Sequence, residues 1–325
     1  MYIFFKVLKY MDNKLRNYDF VQENIRNTYK KMIKYQNVKY VLSMKQKYKT
    51  FPNIKMSIWD VIDKLNYIVD ESDPDSDHPQ IVHACQTSAF LDCVYLEPNT
   101  NKLKEMIKIK DLFSKGEWEF LPYVVKNKYV KSCYLHNLYS HIEEWDWLPL
   151  IGFIHDLGKV MVIPEFGGLE QWSVVGDTFP VGCIYTNKNV FHKEKFHRSN
   201  TDYALYKTFT GRYKEKCGFD SVDFSYGHDE YLSNVLKKNN TKLPDEALYL
   251  IRYHSFYAWH NPRNSNIRGY TYLADEYDWL MLPLLKAFQK ADLYSKVEDI
   301  PNIDKVKEVF NPLVKKYIGK EEIIW

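Results

Sequence analysis

The stretch Leu148–Val160 reads Leu-Pro-Leu-Ile-Gly-Phe-Ile-His-Asp-Leu-Gly-Lys-Val, an apolar run that carries the adjacent pair His155 and Asp156. An ionised carboxylate in an apolar interior needs a metal ion, an ion pair or a shifted pKa, because burying its charge alone is very costly. Imidazole and carboxylate are both metal ligands. Lys159 follows four residues after His155, so a helix would place its amine on the same side. The stretch predicts either a metal-binding pair with a neighbouring cation or a buried hydrogen-bonded pair that only orders the core.

The composition is that of an ordinary folded protein. The chain has 325 residues, of which 45% are hydrophobic and 27% are charged, and its net charge is +3. Its lysines are scattered and form no stripe, so we expect no nucleic-acid partner and no membrane partner. Length alone permits two domains. The apolar start of Met1–Tyr10 is interrupted by Lys6 and Lys9, which predicts an N-terminal extension and neither a membrane span nor a signal sequence.

The five cysteines give no sign of a cross-linked or thiolate-rich site. They are odd in number, far apart and without a C-x-x-C pair: Cys85, Cys93, Cys133, Cys183 and Cys217. This spacing argues against a disulfide framework and against a zinc site made of thiolates. We therefore expect a cytoplasmic location, where thiols stay reduced.

The first third of the chain contains an arm, a helical stripe and an acidic loop. Residues 11–50 are basic and aromatic with helical stretches, which predicts an N-terminal arm. Apolar residues recur at helical spacing in Met56–Val69, and the following Asp70–Asp77 is rich in Asp, Ser and Pro, which favour turns. Such a loop is usually exposed, but it precedes the helical segment Gln80–Phe90, which contains His83. We therefore also consider that the loop offers carboxylates to a ligand near His83.

The helical pattern is lost in residues 91–135. Turn residues and lysine-rich runs interrupt the periodicity, and no set of metal donors occurs there. This stretch is predicted to be either a long surface insertion or a part of the chain outside the functional fold.

Two later regions place polar donors on apolar helix faces. The helix that begins near Gly227 puts His228 on its apolar side, and the next helix does the same with His254. Asp292 ends the apolar stripe of a further helix, and Lys296 follows one turn later. All three donors are therefore predicted to point inward, although Asp292 with Lys296 could equally be a simple ion pair.

A loop with several glycines follows the His155–Asp156 pair. Pro164–Cys183 contains Gly176 and Asp177, and its glycines allow the backbone to approach a ligand. Neither phosphate-loop pattern occurs in it. Asp177 is either a group that binds hydroxyls or a plain turn aspartate.

Inward histidines and aspartates, taken one at a time, are usually satisfied core residues. Several of them on separate helices, with no cysteine alternative, favour a shared metal site. The candidate donors are His83, His155, Asp156, His228, His254 and Asp292. Six such side chains suit two octahedral ions better than one tetrahedral zinc, and they fit iron, manganese or a similar metal.

These blocks, in this order, resemble the myo-inositol oxygenase family, whose members are non-haem di-iron enzymes of the HD-domain superfamily. The resemblance is carried by Asp70–Asp75, His83–Thr87, His155–Lys159, Gln171–Cys183, Gly227–Tyr231, Arg252–Tyr257 and Asp292–Lys296. It covers the chain from about Arg16 onward, apart from residues 91–135, where the family has a shorter connection. His-Asp-x-Gly-Lys alone would indicate only the superfamily, many of whose members are phosphohydrolases.

The resemblance implies an all-α fold: an HD-domain helical core with a di-metal site between helices, in a single domain over residues 1–325. Residues 11–50 would be an arm that closes over the site, and residues 91–135 would be an insertion. The implied ligands of one ion are His83, His155, Asp156 and Asp292, and those of the other are His228, His254 and the bridging Asp156. The implied cofactors are two iron ions, as an Fe(II)/Fe(III) pair, with O2 as co-substrate.

The implied substrate is the uncharged polyol myo-inositol, whose ring opens between C1 and C6 with O2 to give D-glucuronate and water. The family's substrate contacts correspond to Arg16, Asp70, Asp73, Lys159, Gly176, Asp177, Ser255 and Lys296. The expected catalytic residues are Asp156, as the bridge, and Lys159, as the cation that offsets developing negative charge. A monomer is the family expectation.

Two alternatives stay open at this point. An HD-superfamily phosphohydrolase would use the same metals to activate water, and it would need phosphate-binding arginines, of which the sequence has no obvious cluster. In an inactive descendant, residues 91–135 would separate the helices that carry His83 and His155 and so spoil the site.

Overall fold

The computed structural model describes residues 18, 21–74, 80–262, 267–294 and 303–325. The α-helices in these residues are α1 Glu23–Tyr35, α2 Val38–Tyr48, α3 Ile58–Leu65, α4 Gln80–Tyr95, α5 Lys115–Glu119, α6 Tyr123–Ser132, α7 Leu135–Leu138, α8 Trp147–Ile154, α9 Asp202–Leu205, α10 His228–Lys238, α11 Asp245–Tyr253, α12 Tyr257–His260, α13 Glu276–Tyr294 and α14 Ile303–Tyr317. Short 3-10 helices cover Ile109–Leu112, Leu157–Val162, Pro164–Phe166, Gln171–Ser173, Phe196–Ser199 and Phe219–Ser221. The two short strands of the described residues, β1 Lys55–Met56 and β2 Ile323–Ile324, pair antiparallel. The architecture is all-α, as predicted from the sequence.

Helix α8 forms the centre of the fold. Its residues are apolar and buried all round, as expected of a core helix, and it packs against α4, α11, α13 and α14. No single helix in the described ranges is long and apolar enough to cross a membrane. Only the combination of Trp147–Val162 with Pro164–Ser173 reaches that size, and it is bent by 91° at its break.

A glycine allows α8 and α4 to approach each other closely. A Cβ on Gly152 would lie 2.6 Å from Leu91 Cδ1 and 3.0 Å from the Cα of Ser88. The Ser88 hydroxyl donates a hydrogen bond to the Pro149 carbonyl at 2.8 Å. Residues 91–135 therefore leave the two helices in contact.

The end of α8 differs from the sequence prediction. The α-helix stops at Ile154, and the chain continues from Leu157 as a tighter 3-10 helix, so His155 and Lys159 are not successive turns of one α-helix. The change coincides with close backbone packing, since a Cβ on Gly158 would overlap the carbonyl oxygen of His228. Lys159 nevertheless reaches Asp156, because residues three apart remain neighbours in a 3-10 helix.

The other predicted donors also lie near helix ends. His228 is the first residue of α10, His254 is the C-cap of α11, and Asp292 lies in the last turn of α13. Helix α11 packs against α8, α10 and α13, so the three ends face the centre of the fold.

Residues 91–135 are folded against the helical body. Helix α4 continues to Tyr95, and the segment then contains a 3-10 turn and helices α5 and α6. Its buried apolar side chains include Ile109, Leu112 and Phe113, and the Tyr129 hydroxyl donates to the Trp279 carbonyl of α13. The division of the chain into a domain, an arm and an insertion stays a prediction.

The described part of the predicted 11–50 arm forms helices α1 and α2. Helix α1 packs against the 3-10 turns Gln171–Ser173 and Phe196–Ser199. Between the two helices, the buried Gln36 amide donates to the Tyr226 carbonyl at 2.8 Å and accepts from the Tyr226 N–H at 3.0 Å. Arg16 lies outside the described residues.

A buried acid at the start of α13 makes stability depend on pH. Asp278 is 3% exposed, and its carboxylate accepts hydrogen bonds from the N–H groups of Phe219 and Asp275 and from the Tyr249 hydroxyl. Burial raises the pKa of the Asp278 carboxyl from 3.8 to about 7.

We expect Asp278→Asn to remove part of this pH dependence. Between about pH 4 and pH 7 the native carboxyl keeps a proton that the unfolded chain has lost, so the free energy of unfolding falls as pH rises through this window. Asparagine is neutral and keeps an acceptor oxygen. Denaturant unfolding is measured at pH 5 and at pH 7.5. Between these two pH values the free energy of unfolding should fall by roughly 2–4 kcal/mol less in the variant than in the unmodified protein. An unchanged loss, equal to that of the exposed control Asp304→Asn, would contradict the assignment.

Candidate metal centre

Two groups of buried nitrogen and oxygen donors converge between the helix ends. One contains His83, His155 and Asp156, and the other contains Asp156, His228 and His254. Within each group the donor atoms all lie within 4.8 Å of one another. The described part of the chain thus brings together donors that are up to 171 positions apart (254 minus 83).

Asp156 lies between the two groups. Its Oδ1 is 3.3 Å from His228 Nε2 and 3.6 Å from His254 Nε2. Its Oδ2 is 3.5 Å from His155 Nε2 and 3.9 Å from His83 Nε2. One carboxylate oxygen therefore faces each group, which is the arrangement that a bridging carboxylate requires.

Backbone carbonyls orient three of the four imidazoles. The Nδ1 atom of His155 donates to the Gly152 carbonyl at 2.9 Å, and that of His254 donates to the Ile251 carbonyl at 2.8 Å. His228 Nδ1 donates in the same way to Val174 at 2.7 Å. A carbonyl only accepts, so in the neutral ring the proton is on Nδ1 and the Nε2 lone pair faces the centre.

The Nε2 lone pairs that face the centre of the site are suited to binding a cation. The Nε2 atoms of His228 and His254 are 3.1 Å apart, and two lone pairs at this distance repel each other unless a positive charge lies between them. His155 Nε2 is buried and makes no hydrogen bond. The donor set is therefore one that metal ions satisfy, and its nitrogen and oxygen atoms fit iron or a similar ion.

Asp292 completes the group around His83. Its Oδ1 lies 2.8 Å from His83 Nε2 and 3.7 Å from His155 Nε2. Its Oδ2 accepts from the Tyr257 hydroxyl at 3.3 Å and from the Gln289 amide at 3.2 Å. Burial alone would raise the pKa of this carboxyl, but the two histidines hold it well below its ordinary value.

Lys159 connects the donors to the acidic loop. Its ammonium donates to Asp156 Oδ2 at 2.8 Å, to Asp70 Oδ2 at 2.7 Å and to Gln80 Oε1 at 2.7 Å. Burial opposes ionisation of Asp70, Asp156 and Lys159, yet Lys159 lowers the pKa of Asp70 to about 2, and the two carboxylates raise the pKa of Lys159. Asp70 is fixed by two further hydrogen bonds from Ser72.

The predicted substrate residues divide into three sets. A narrow cavity beside the donors is lined by Asp70, Ser72, Asp73, Lys159, Gly176, Ser255 and Tyr257. Asp177 is buried next to this cavity, and its Oδ1 accepts from the Tyr29 hydroxyl of α1 at 2.8 Å. Arg16 and Lys296 lie outside the described residues.

Several side chains that support the site were not predicted. Gln80 lies three residues before His83 and Gln289 lies three before Asp292, so helical spacing could have indicated both. Tyr29 carries no local signal, because its partner Asp177 is 148 positions away. His228 is also followed by an aspartate, as His155 is, but Asp229 Oδ2 pairs with Arg252 Nη1 at 3.2 Å.

We expect Asp292→Ala to remove the metal ion held near His83 and His155. The substitution deletes an anionic donor, whereas the group of Asp156, His228 and His254 stays intact. Metal analysis after reconstitution should show about one ion fewer per chain, with turnover lost. The exposed control Asp220→Ala should bind as many ions as the unmodified protein. Full metal content and full turnover in Asp292→Ala would remove Asp292 from the ligand set.

Comparison with known proteins agrees with this geometry. The family model described as myo-inositol oxygenase matches residues 22–140 and 135–325. Inositol oxygenase 2 of Arabidopsis thaliana is 36% identical over 296 residues, covering 91% of this chain and 77% of the relative. Inositol oxygenase of Dictyostelium discoideum is 34% identical over 320 residues, 98% and 91% of the two chains. The human inositol oxygenase is 36% identical over 297 residues, 91% and 85%. The chain therefore belongs to the myo-inositol oxygenase family.

Proposed function

We propose that this protein is an inositol oxygenase, which opens the ring of myo-inositol between C1 and C6 with O2 and gives D-glucuronate and water. The observation that supports this proposal best is the pair of donor groups that share Asp156, next to the buried Lys159. Membership of the family and the presence of every predicted donor in one place point in the same direction.

We propose two iron ions as the cofactor. His83, His155, Asp156 and Asp292 would hold one ion, and His228 and His254 would hold the other together with Asp156. When bound, the pair would supply a Lewis acid for substrate oxygens and the redox capacity to use O2. The nitrogen and oxygen donors support iron on chemical grounds, since such ligands suit it.

The cavity lining supplies hydrogen-bonding groups that suit a polyol. Asp70 and Asp73 are acceptors for hydroxyl protons, Ser255 is both donor and acceptor, and Gly176 brings its backbone close. A ligand with six hydroxyls and no charge is held by hydrogen bonds of this kind. Asp177, Arg16 and Lys296 are proposed as further contacts.

Lys159 is the cation placed to stabilise negative charge that develops on a substrate oxygen. Its ammonium is already oriented by Asp70 and Gln80, so little rearrangement is needed during the reaction. Asp156 and Asp70 both raise the pKa of Lys159 and so keep it protonated. The catalytic pair is therefore proposed to be Lys159 and Asp156.

The surrounding helices keep water out of the site. His155, Asp156, His228, His254 and Asp292 are all buried. We propose that the 11–50 arm completes this cover, because the Tyr29 hydroxyl of α1 already reaches the glycine loop at Asp177. Exclusion of water would protect reactive oxygen intermediates from side reactions.

A phosphohydrolase is less well supported. Within the described residues, the only lysine or arginine that lines the cavity is Lys159, and two carboxylates already pair with it. A phosphate group would bring about two full negative charges to this single shared cation, whereas an uncharged polyol brings none before the reaction. The inactive descendant is also disfavoured, because α4 and α8 remain in contact and the donors converge. A monomer in the cytoplasm, without nucleic-acid or membrane partners, stays a prediction.

The proposal is tested by following O2 consumption and glucuronate formation in iron-reconstituted protein under mild reductant. We expect O2 uptake that depends on myo-inositol, with about one glucuronate formed for each O2, as the proposed reaction requires. Folded protein that carries two irons and consumes no O2 with myo-inositol would refute the proposal and favour a screen of phosphoesters.

We expect Lys159→Met to lower turnover roughly 100-fold while metal content stays close to that of the unmodified protein. Methionine keeps most of the side-chain volume but removes the positive charge, and an ammonium group is not a metal ligand. Steady-state kinetics and metal analysis of the same samples check both parts, with the surface variant Lys307→Met as control. Turnover within threefold of the control would exclude a catalytic role for Lys159.

A further inference from the structure

Residues 91–135 insert a carboxylate into a buried cluster with two cations. Glu117 of α5 lies 2.9 Å from Arg268 Nη2 and 2.8 Å from Lys286 Nζ through the same oxygen, Oε1. The side chains of Glu117, Arg268 and Lys286 are only 11%, 4% and 9% exposed. The interaction is therefore little screened by water or salt.

The charges in this cluster depend on Glu117. Two cations share one carboxylate, and the ring of Phe113, also from residues 91–135, lies 5.3 Å from each of them. Burial and then Arg268 lower the pKa of Lys286 to about 8. Without Glu117, Lys286 would either repel Arg268 as a like charge or lose its proton, and in both cases the shared ion pair is gone.

The cluster also contacts the backbone beside a proposed metal ligand. Arg268 Nη1 and Lys286 Nζ both donate to the His260 carbonyl at 3.1 Å. His260 Nε2 in turn donates to the His254 carbonyl at 2.8 Å. A continuous series of hydrogen bonds therefore leads from Glu117 to the turn that carries His254.

The same segment holds α13, the helix that carries Asp292. Lys286 belongs to α13 and lies six residues before Asp292. Lys290, one turn after Lys286, donates to the Asp111 carbonyl at 3.0 Å, and Tyr129 donates to the Trp279 carbonyl. Contacts from residues 91–135 thus extend along α13 from Trp279 to Lys290.

We propose that residues 91–135 are a brace for the metal centre and that Glu117 is a positioning residue for His254 and Asp292. The inference deepens the proposed function, on which it rests for the identity of the metal. It makes the segment an integral part of the fold, whereas the sequence predicts an insertion.

The test compares Glu117→Gln with a matched control on the same helix. Glutamine keeps the shape of the side chain and removes the negative charge, so the two buried cations lose their shared partner. Glu119→Gln makes the identical change two residues away, where the side chain is exposed. Two properties are measured on full-length folded protein: anaerobic Fe(II) affinity, and hydrogen exchange of α13 amides in the metal-free state.

We expect Glu117→Gln to weaken Fe(II) affinity about tenfold or more and to lose protection at the amides of α13, with α10 much less affected. Glu119→Gln should match the unmodified protein in both. A merely stabilising role would lower the melting temperature but leave the Fe(II) affinity of the folded protein unchanged. Folded Glu117→Gln protein with normal Fe(II) affinity and normal α13 protection would overturn the proposal.

The double variant Glu117→Gln/Lys286→Met tests the charge argument, and it gives a second measurement if Glu117→Gln alone does not fold. The cluster carries a net charge of +1 (two cations minus one carboxylate). Glu117→Gln leaves Lys286 either as an unpaired second cation or, because its pKa is already only about 8, as a buried uncharged amine. Adding Lys286→Met removes both of these unfavourable states. Arg268 still donates to the His260 carbonyl in the double variant, so the link to His254 remains and most of the lost Fe(II) affinity should be recovered. A folded double variant that binds Fe(II) no better than about tenfold below normal would overturn the proposal. Neither readout uses myo-inositol or O2, so absence of oxygenase activity in iron-loaded protein would leave this result interpretable.

Discussion

The buried carboxylate of Asp156 is the constraint on which the rest of the structure depends. It lies within 4 Å of four imidazole nitrogens and accepts a hydrogen bond from the Lys159 ammonium. Burial alone would raise its pKa, but the Lys159 ammonium holds that pKa well below the ordinary value. These partners come from the ends of separate helices. The fold therefore has to hold the ends of several helices around one charge. The apolar helix α8, at the centre of the fold, is the element against which α4, α11 and α13 pack.

Helix ends orient the donors as well as carrying them. The last carbonyls of an α-helix have no partner within the helix. At the ends of α8 and α11 such carbonyls, those of Gly152 and Ile251, accept a hydrogen bond from the Nδ1–H of the histidine three residues later. The ring orientation of His155 and His254 is thus fixed by local backbone geometry. The tertiary fold is needed only to bring the His155 and His254 rings close to each other.

The resemblance to a known family predicted the fold class, whereas helical periodicity was sufficient to predict that His228, His254 and Asp292 point inward, because each shares a face with buried apolar residues. Periodicity could not predict where α8 ends, because the close packing of Gly158 against the His228 backbone, which coincides with that end, is a contact between distant parts of the chain. Partners far apart in sequence were also missed, such as Tyr29 with Asp177. Residues 91–135 lack periodicity because they form short elements, whose polar contacts to α13 leave no repeating pattern.

Gly158 has a consequence for how this site can vary. Its α-carbon packs against the His228 carbonyl so closely that a single methyl group would overlap it. Gly158 follows the donors His155 and Asp156 in sequence. His228 is the first residue of α10 and belongs to the other donor group. Because glycine has only a hydrogen atom in place of a side chain, the backbones of the two donor groups can lie as close together as they do here. The histidines and aspartates decide which metal ions the site would suit, but the separation of the two donor groups depends on the one residue of the motif that has no side chain.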